Sequence, residues 1–505
     1  MIMVGTILSA TNVGFDGQII EVECDASRGL PGLQIVGLAN KAIDEAKERV
    51  RSAIKNSHLE FPASKVTINL APANLPKDGA QFDLPIALAI LTVSGQISAK
   101  DTDGCVFSGE LSLDGNLRSI RGAISLAETA KKHGATKLFL PIQNVSQARL
   151  ISDIEIIGVS SLSELFLHLK KEKLIETPTQ ERKATSDKAT KLTIDDIYGQ
   201  PIAKRALAIA AAGHHNILFT GPPGTGKTML AKALVDLLPP LSLPEQIEVT
   251  KLHSLSGETA SEALMDRPFR SPHHTASHIS LIGGGRNPTP GEVSLAHLGV
   301  LFLDELPEYP RASLEVMRQP LEDREIHISR ASSRVDFPAN FMLVATQNPC
   351  PCGYYGDDLK ECNCSTTQIL QYQKKVSGPL LDRIDLIVHV GRIPHDELLK
   401  KNESKTADSL RLQISSARKT QHNRYSDPTV SNATLSSQQI KKQIKLTEDV
   451  RKLLAQASER LGLTTRSYFK VIKVARTIAD LDEAANIEVK HISEALQYRA
   501  NSQTL

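Results

Sequence analysis

A glycine-rich run between an apolar strand and a helix is the first stretch of this sequence whose residue types predict chemistry. The run consists of Gly221, Pro222, Pro223, Gly224, Thr225, Gly226, Lys227 and Thr228. It follows an apolar strand at 217–219 and precedes a helical pattern, which is the context of a phosphate-binding loop. Glycines let backbone N–H groups turn towards phosphate oxygens, and the helix N-terminus adds positive potential. We expect Lys227 to contact the β- and γ-phosphates of a nucleotide and Thr228 to bind Mg²⁺.

Two adjacent carboxylates, Asp304 and Glu305, follow another apolar run at 300–303. At the carboxyl end of a buried strand, Asp304 would bind Mg²⁺, and Glu305 would polarise a water molecule for attack on the γ-phosphate. The spacing after the phosphate-binding loop, with a further strand expected at 246–250, favours this interpretation. The sequence therefore predicts an ATPase that uses ATP and Mg²⁺.

Length and composition agree with a large enzyme that has no membrane segment. The 505 residues predict about three domains, and the formal net charge of +2 means that any contact with nucleic acid must be local. The longest apolar stretch, 86–93, is too short to cross a bilayer, and the N-terminus lacks the pattern of a signal peptide. Cys24 and Cys105 are isolated in the sequence, and we expect them to be buried as small apolar side chains. We therefore expect a cytoplasmic protein without a membrane partner.

Residues 1–169 predict a separate α/β domain. Strands are indicated at 17–23, 66–70 and 137–140, and helices at 43–54, 86–91 and 123–133. The runs Pro76-Lys77-Asp78-Gly79 and Gly109-Glu110-Leu111, together with 134–141, resemble the proteolytic domain of Lon proteases. This resemblance covers about 120 residues and implies a protease-derived scaffold.

The resemblance also indicates that the protease chemistry is lost. In the Lon family a serine two places after the first run is the nucleophile, and a lysine activates it. Here Gln81 occupies the nucleophile position and the lysine position falls near Ile124. An amide cannot attack a carbonyl, and isoleucine cannot accept a proton. A shifted dyad that uses Ser125 or Lys131 stays open as the alternative.

The rest of the chain divides into a linker, an ATPase core and a helical region. Residues 170–192 are polar and nearly free of large apolar side chains, so they predict a linker. An ATPase core is predicted over 193–395, and mostly helical structure over 396–505, with helices at 398–418, 446–461, 466–481 and 489–500. The last three would form a lid over the core.

Three polar residues resemble functional positions of AAA+ ATPases. Asn348 follows a strand at 341–346 and resembles sensor 1, which orients the attacking water. Arg383, in a Leu-Asp-Arg triplet, resembles the arginine finger that a neighbouring subunit supplies, although a surface pair with Asp385 is the alternative. Arg466 opens a lid helix and resembles sensor 2, which reaches the γ-phosphate; the alternative is an exposed arginine at a helix start.

Further motifs extend the resemblance to nearly the whole chain. They are Phe269-Arg270-Ser271-Pro272-His273-His274, Leu306-Pro307-Glu308, Gln319-Pro320-Leu321-Glu322-Asp323 and Arg476-Thr477-Ile478-Ala479-Asp480-Leu481. With the Lon-like domain, they identify the chain as a member of the ComM/YifB family of magnesium-chelatase-related AAA+ ATPases. The resemblance implies a hexameric DNA motor that promotes branch migration in recombination and natural transformation. A chelatase-type motor for metal insertion or protein remodelling is the alternative.

Four clustered cysteines and three arginines are the remaining candidate site residues. Cys350, Cys352, Cys362 and Cys364 form two C-x-C pairs in a polar loop, and in a cytosolic chain this pattern favours a structural Zn²⁺ site over disulfides. Arg267, Arg270 and Arg286 lie between the two ATPase motifs and are candidates for contacts with the phosphates of DNA. Such contacts would bind branched or single-stranded DNA without sequence specificity. Solvated loop arginines are the alternative.

Overall fold

A computed structural model describes residues 5–37, 41–73, 75, 77, 79–176, 192–258, 262–285, 288–329, 334–357, 359–393 and 406–500. It confirms the predicted fold class. An α/β domain comes first, a P-loop core with a parallel sheet follows, and the C-terminal region is helical. Among the helices of these residues, none has the length and hydropathy needed to cross a bilayer.

The N-terminal domain is built on a seven-stranded mixed sheet. Its strands are β1 Gly5–Val13, β2 Asp16–Ser27, β3 Gly32–Val36, β4 Lys65–Ala71, β5 Cys105–Phe107, β6 Glu110–Leu111, β7 Leu117–Arg118, β8 Lys137–Pro141 and β9 Glu155–Val159. Its helices are α1 Lys41–Asn56, α2 Asp83–Val93, α3 Ala123–Lys132, α4 Val145–Ala148 and α5 Leu162–Leu169. The sheet order is β3-β4-β2-β1-β5-β8-β9, and β6 pairs with β7 as a separate hairpin. Helix α2 is apolar on all sides because it is buried in this domain.

The ATPase core contains a five-stranded sheet in the order β11-β14-β17-β10-β18. Its strands and those of two hairpins are β10 Ile217–Thr220, β11 Phe269–Arg270, β12 Gly283–Gly284, β13 Thr289–Pro290, β14 Val300–Leu303, β15 Glu325–Ser329, β16 Arg334–Pro338, β17 Met342–Gln347 and β18 Leu386–His389. All pairings within the five-stranded sheet are parallel. The carboxyl ends of β10, β14 and β17 therefore meet at one edge, where the predicted ATPase motifs lie.

Helices cover both faces of this sheet. They are α6 Pro201–Gly213, α7 Lys227–Leu237, α8 Leu243–Ser256, α9 His278–Ile282, α10 Glu292–Leu295, α11 Arg311–Glu315, α12 Pro320–Asp323, α13 Thr366–Gln373 and α14 Gly378–Leu381. The C-terminal helices are α15 Thr406–Tyr425, α16 Ser437–Gln443, α17 Glu448–Leu461, α18 Thr465–Leu481 and α19 Val489–Ala500. One apolar core joins the C-terminal helices to α6, α7 and one face of the sheet, so this region packs on the ATPase core.

Two predicted elements differ from the structure. The segment 246–250, expected as a strand, belongs to helix α8, because Ser242 and Glu245 form a capping box that starts a helix. A short run of alternating apolar residues does not distinguish a strand from a helix. The helix expected at 398–418 is present from Thr406, where the described residues resume, and ends at Tyr425 instead of residue 418. Residues 394–405 lie outside the described residues.

Helix α8 also docks the N-terminal domain on the ATPase core. The ammonium of Lys251, only 4% exposed, binds Glu128 at 2.8 Å and Asp16 at 3.2 Å. The hydroxyl of Ser254 donates to Gln147 at 2.8 Å. A buried cation is stable here because two carboxylates of the other domain compensate its charge. Of the predicted linker, residues 177–191 lie outside the described residues, and the partly buried Ile175 packs on the N-terminal core.

Candidate active site

The glycine-rich run forms a loop between β10 and α7, as its spacing predicts. Gly224 and Gly226 have φ angles of 78° and 86°, in the left-handed region that glycine adopts without strain. At Gly221 a Cβ atom would lie 2.2 Å from the carbonyl oxygen of Val390, so only glycine fits beside β18. Helix α7 starts directly after the loop, at Lys227. Its N-terminus faces the loop and favours anions there.

Lys227 is held inside this loop by backbone and side-chain oxygens. Its Nζ donates to the carbonyls of Gly221 and Pro222, both at 2.7 Å, and to Oδ1 of Asn348 at 3.3 Å. Burial lowers the pKa of Lys227 to about 8, although Asp304 and Glu305 favour the charged form. A phosphate in the loop would restore the positive charge, since an adjacent anion stabilises an ammonium.

The acidic pair at the end of β14 is organised by the neighbouring strand. Oδ2 of Asp304 accepts from the hydroxyl of Thr228 at 3.5 Å, and Oδ1 accepts from the hydroxyl of Thr346. The backbone N–H of Glu305 donates to Oγ1 of Thr346 at 3.0 Å. Glu305 is exposed and has a left-handed backbone with φ of 54°, a strained state that occurs at functional sites. The structure thus places the two predicted Mg²⁺ ligands, Thr228 and Asp304, in contact at the loop, with the carboxylate of Glu305 nearby.

Asn348 joins the same cluster from the end of β17. Strands β17 and β10 are parallel neighbours, with Thr220 opposite Gln347, so Asn348 leaves the sheet beside the phosphate-binding loop. Its amide oxygen contacts Lys227, as described above. The sequence therefore predicted three separate motifs that the parallel sheet brings to one edge. The supporting role of Thr346 was not predicted, although its place just before Gln347 and Asn348 is the signal that could have indicated it.

Arg383 and Arg466 lie together at the opposite edge of the sheet. Arg383 comes just before β18, whose start pairs with the start of β10. Because β18 has four residues, its first and last Cα atoms are about 10 Å apart. Arg383 is therefore on the amino edge, whereas the phosphate-binding loop of the same chain is on the carboxyl edge.

Arg383 and Arg466 share one carboxylate, that of Glu322. The guanidinium of Arg383 donates to the carbonyls of Arg318 at 2.9 Å and Pro379 at 2.8 Å, and to Oε2 of Glu322. Arg466 donates to Oε1 of the same Glu322 at 3.2 Å. The alternative pair of Arg383 with Asp385 is wrong, because Asp385 binds Lys470 at 2.9 Å instead. Arg466 therefore lies beside Arg383, the predicted arginine finger, and not at the phosphate-binding loop of its own chain. That Glu322 is their common partner was not predicted.

The four clustered cysteines converge into one group beside the active site. Their four Sγ atoms lie within 4.8 Å of one another, and the distances among Cys350, Cys352 and Cys362 are 3.3 to 3.6 Å. All four are free thiols. A tetrahedral Zn²⁺ with Zn–S bonds of about 2.3 Å places its sulfur atoms about 3.8 Å apart, so the donor set fits zinc.

The cysteine loop packs directly on the phosphate-binding loop. A Cβ atom at Gly353, within the cysteine loop, would lie 2.8 Å from Cδ of Pro223. Cys350 is fully buried and follows Asn348 by two residues. Arg392, just after β18, binds Asp357 of the cysteine loop at 3.0 Å. The cluster therefore supports the backbone that carries Asn348.

Two of the arginines that were candidates for DNA contacts are engaged within the chain. Arg267 is 9% exposed and binds the carbonyls of Pro239 and Leu298 at 2.6 and 2.7 Å, and Glu245 at 3.2 Å. Arg270 lies in strand β11 between Glu292 at 2.7 Å and Glu258 at 2.9 Å. The expectation of free loop arginines is wrong for both, because nearby carboxylates and carbonyls neutralise them. Arg286 lies outside the described residues.

The Lon-like positions of the N-terminal domain do not form a catalytic dyad. Gln81 is buried and donates to the hydroxyl of Thr11 at 3.1 Å, and Ile124 is fully buried in α3. Lys77 is buried and donates to the carbonyl of Pro72. Ser125 is buried as well, while Lys131 binds Asp153 at 2.9 Å on the surface. Among the described residues, no lysine contacts Ser125, so the alternative dyad is not assembled.

The fold and the site together define a magnesium-chelatase-type AAA+ protein. A family model described as magnesium chelatase, subunit ChlI, matches residues 193–398, and one described as subunit ChlI of Mg-chelatase matches residues 22–144. A third, described as the C-terminal part of magnesium chelatase subunit ChlI, matches residues 404–499. The chain is 42% identical over 500 residues to the competence protein ComM of Haemophilus influenzae, covering 98% of this chain and 97% of that protein. It is 42% identical over 491 residues to the protein YifB of Escherichia coli, covering 97% and 95%.

The chain therefore belongs to the ComM/YifB family. A Lon protease of Leptospira interrogans is 27% identical over 179 residues, which are 34% of this chain and 21% of that protease. This weaker match agrees with the Lon-like pattern of the N-terminal region. Family membership implies an ATPase that uses ATP and Mg²⁺.

Proposed function

We propose that this protein is a ring-shaped DNA motor, a helicase or branch-migration factor that uses ATP in recombination and natural transformation. The observation that carries the proposal is that Lys227, Asp304 and Asn348 meet on one edge of the core while a pair of arginines lies on the other. The word competence in the name of the Haemophilus influenzae relative supports DNA as the substrate.

Each residue of the loop edge has a defined task in hydrolysis. Lys227 exchanges its carbonyl contacts for the β- and γ-phosphates, whose charge it balances. Thr228 and Asp304 are the side chains that would hold Mg²⁺, and this ion would neutralise phosphate charge. Glu305 accepts the proton of the attacking water, and Asn348 orients that water.

The arginine edge completes the site of a neighbouring subunit. Arg383 and Arg466 cannot reach the phosphates bound to their own chain, because a strand length separates the two edges. A head-to-tail contact that joins one edge to the other closes into a ring. The AAA+ resemblance favours six subunits. In such a ring the two guanidinium groups stabilise the charge that develops on the neighbour's γ-phosphate.

The cysteine cluster holds a structural Zn²⁺ in this proposal. The support is the convergence of four thiols next to Asn348 and Pro223. The free thiols also favour a cytoplasmic location, since disulfides form in oxidising compartments. Zinc would fix the loop that follows β17 and, with it, the water-orienting amide.

DNA contacts must be local and directed at phosphates, because the net charge is +2 and a motor passes over every sequence. Of the three arginines, Arg286 stays in the proposal, in the sequence between the short strands β12 and β13. Binding of branched or single-stranded DNA should then weaken steeply with salt and vary little with sequence.

A synthetic four-way junction with a fluorophore and a quencher on two arms tests the proposal. We expect ATP-dependent separation of the arms by the parent protein and none by the Glu305→Gln variant, which retains the nucleotide-binding residues. Junction binding that is absent at low salt, or arm separation that is absent with ATP, would overturn the DNA-motor proposal.

A chelatase-type motor for metal insertion or protein remodelling is the second candidate. The family models favour it, since their descriptions name magnesium chelatase. ATP hydrolysis by the parent protein without any junction binding would support this candidate.

A further inference from the structure

An open cavity of about 510 Å³ lies at the amino edge of the core sheet, beside the arginine pair. Arg383, Glu322 and Asp323 are among its lining residues. The last two belong to helix α12, in the Gln319–Asp323 motif, for which the hydrolytic chemistry above has no role. The cavity therefore contains a finger residue together with unassigned carboxylates.

Glu322 binds both arginines with different oxygens of one carboxylate. Oε2 accepts from Nη2 of Arg383, and Oε1 accepts from Nη2 of Arg466 at 3.2 Å. Two guanidinium groups this close repel each other, and a carboxylate between them offsets that repulsion. Glu322 is 61 residues from Arg383 and 144 residues from Arg466 along the chain, so its carboxylate joins the core to the lid.

The contacts leave hydrogen-bond donors for a phosphate. A guanidinium has five N–H groups. Arg383 uses three of them, for Arg318, Pro379 and Glu322, and Arg466 uses one for Glu322. Only 9% of the Arg383 side chain is exposed, so this arginine is held in place, whereas Arg466 is 38% exposed. Glu322 thus holds the two arginines in place and leaves some of their N–H groups available to a phosphate.

Buried contacts also join the backbone segments that carry these two arginines. Asp385, two residues after Arg383, binds Lys470, one helical turn after Arg466, at 2.9 Å. Arg499 donates to the carbonyl of Ile384 at 3.2 Å and to the hydroxyl of Ser467 at 2.7 Å. These bonds join the start of β18 to the start of α18, so both arginines have rigid supports.

We propose that Glu322 is a positioning residue that holds Arg383 and Arg466 as one preassembled pair for the nucleotide of the neighbouring subunit. This inference rests on the proposed function, in which the two arginines act across the subunit interface. Glu322 acts through the arginines and does not contact the phosphates. It gives one residue of the Gln319–Asp323 motif, Glu322, a role in hydrolysis.

Glu322→Gln tests the inference. The amide keeps the volume of the side chain but replaces one acceptor oxygen with a donor, so only one arginine can stay bound. We expect the kcat for ATP to fall on the order of tenfold, because small misplacements of catalytic groups cost rate. The KM for ATP should stay unchanged, since the arginines stabilise charge that develops in the transition state and the residues that bind ATP are unaltered. A change confined to kcat would not follow from general destabilisation.

Asp323→Asn is the matched control. Asp323 lies on the same helix and lines the same cavity, while the contacts of both arginines go to other residues. Its kcat should equal that of the parent, and Glu322→Asp, which keeps the charge, should recover part of the loss. Size-exclusion chromatography checks that each variant forms the same oligomer as the parent.

The outcomes separate this inference from the proposed function. Parent-like or faster turnover in Glu322→Gln, with a large loss in Arg383→Ala, would overturn the role of Glu322 alone. Parent-like turnover in Arg383→Ala would instead contradict the claim that Arg383 acts on the nucleotide of the neighbouring subunit, and with it the shared site of the proposed function.

Discussion

The ATPase core and the N-terminal domain both contain the sequence motifs of a catalytic site, but only in the core do the polar residues of these motifs form a cluster. In the core, Lys227 donates to Asn348, and Asp304 accepts from Thr228 and Thr346, at one edge of the sheet. In the N-terminal domain, Gln81 bonds to Thr11 and Ile124 is part of the apolar core. A family motif in the sequence therefore indicates which fold a domain has. Contacts among its polar side chains indicate whether that domain has an active site.

The largest expected effect comes from the core. Glu305→Gln should lower the kcat for ATP hydrolysis by at least about a hundredfold, because the water loses its proton acceptor. Binding of a fluorescent ATP analogue should persist, since Lys227, Thr228 and Asp304 are unchanged. Lys227→Ala is the comparison variant, in which binding itself should be lost. Parent-like turnover in Glu305→Gln would contradict the role given to Glu305.

Removal of the thiol cluster should have the next largest effect. Cys350→Ser should reduce the zinc measured by mass spectrometry of the purified protein from about one ion per chain to well below that. Turnover should fall on the order of tenfold, because Asn348 depends on this loop. Cys105→Ala, outside the cluster, is the control and should keep its zinc. Zinc-free parent protein with full activity would contradict the proposed metal.

The binding of ATP should weaken as the pH rises above about 8. In the free protein the pKa of Lys227 is lowered to about 8 by burial, so the ammonium loses its proton through this range. A bound phosphate requires the charged form, and the Kd should therefore rise about fivefold between about pH 8 and pH 9. Lys227→Arg remains charged and should show no such rise. A flat profile for the parent would show that Lys227 stays charged without the nucleotide.

The smallest effects are expected in the N-terminal domain. Gln81→Ala should leave ATP turnover within about twofold of the parent, because Gln81 contacts Thr11 and lies outside the nucleotide site. The parent should not degrade unfolded casein with ATP, and a fluorophosphonate probe should not label it. Probe labelling at Ser108, Ser112 or Ser125 would contradict the loss of protease chemistry.

Contiguous motifs account for most of what could be predicted from the sequence. The phosphate-binding loop, the acidic pair and Asn348 each follow a short apolar run, and parallel strands carry such residues to the same edge. The four cysteines were equally predictable, because they lie within one loop. Local spacing was sufficient in these cases.

Contacts between distant segments could not be predicted in the same way. Arg267 was expected to bind DNA, yet Glu245 and two carbonyls surround it. The bond between Arg466 and Glu322 joins residues 144 positions apart. The segment 246–250 was expected as a strand, but it belongs to the helix Leu243–Ser256, which the capping box of Ser242 and Glu245 starts. Partners of this kind are set by tertiary packing, which spacing along the chain does not record.

The central claim is that each nucleotide site is completed by a second subunit, and a mixing experiment tests it most directly. Lys227→Ala and Arg383→Ala are each expected to be inactive, because each removes one edge of every site. In mixed rings some interfaces pair an intact loop edge with an intact arginine edge. ATP turnover should therefore rise well above that of either variant when the two are combined. Turnover that stays at the level of the separate variants at every ratio would contradict the account.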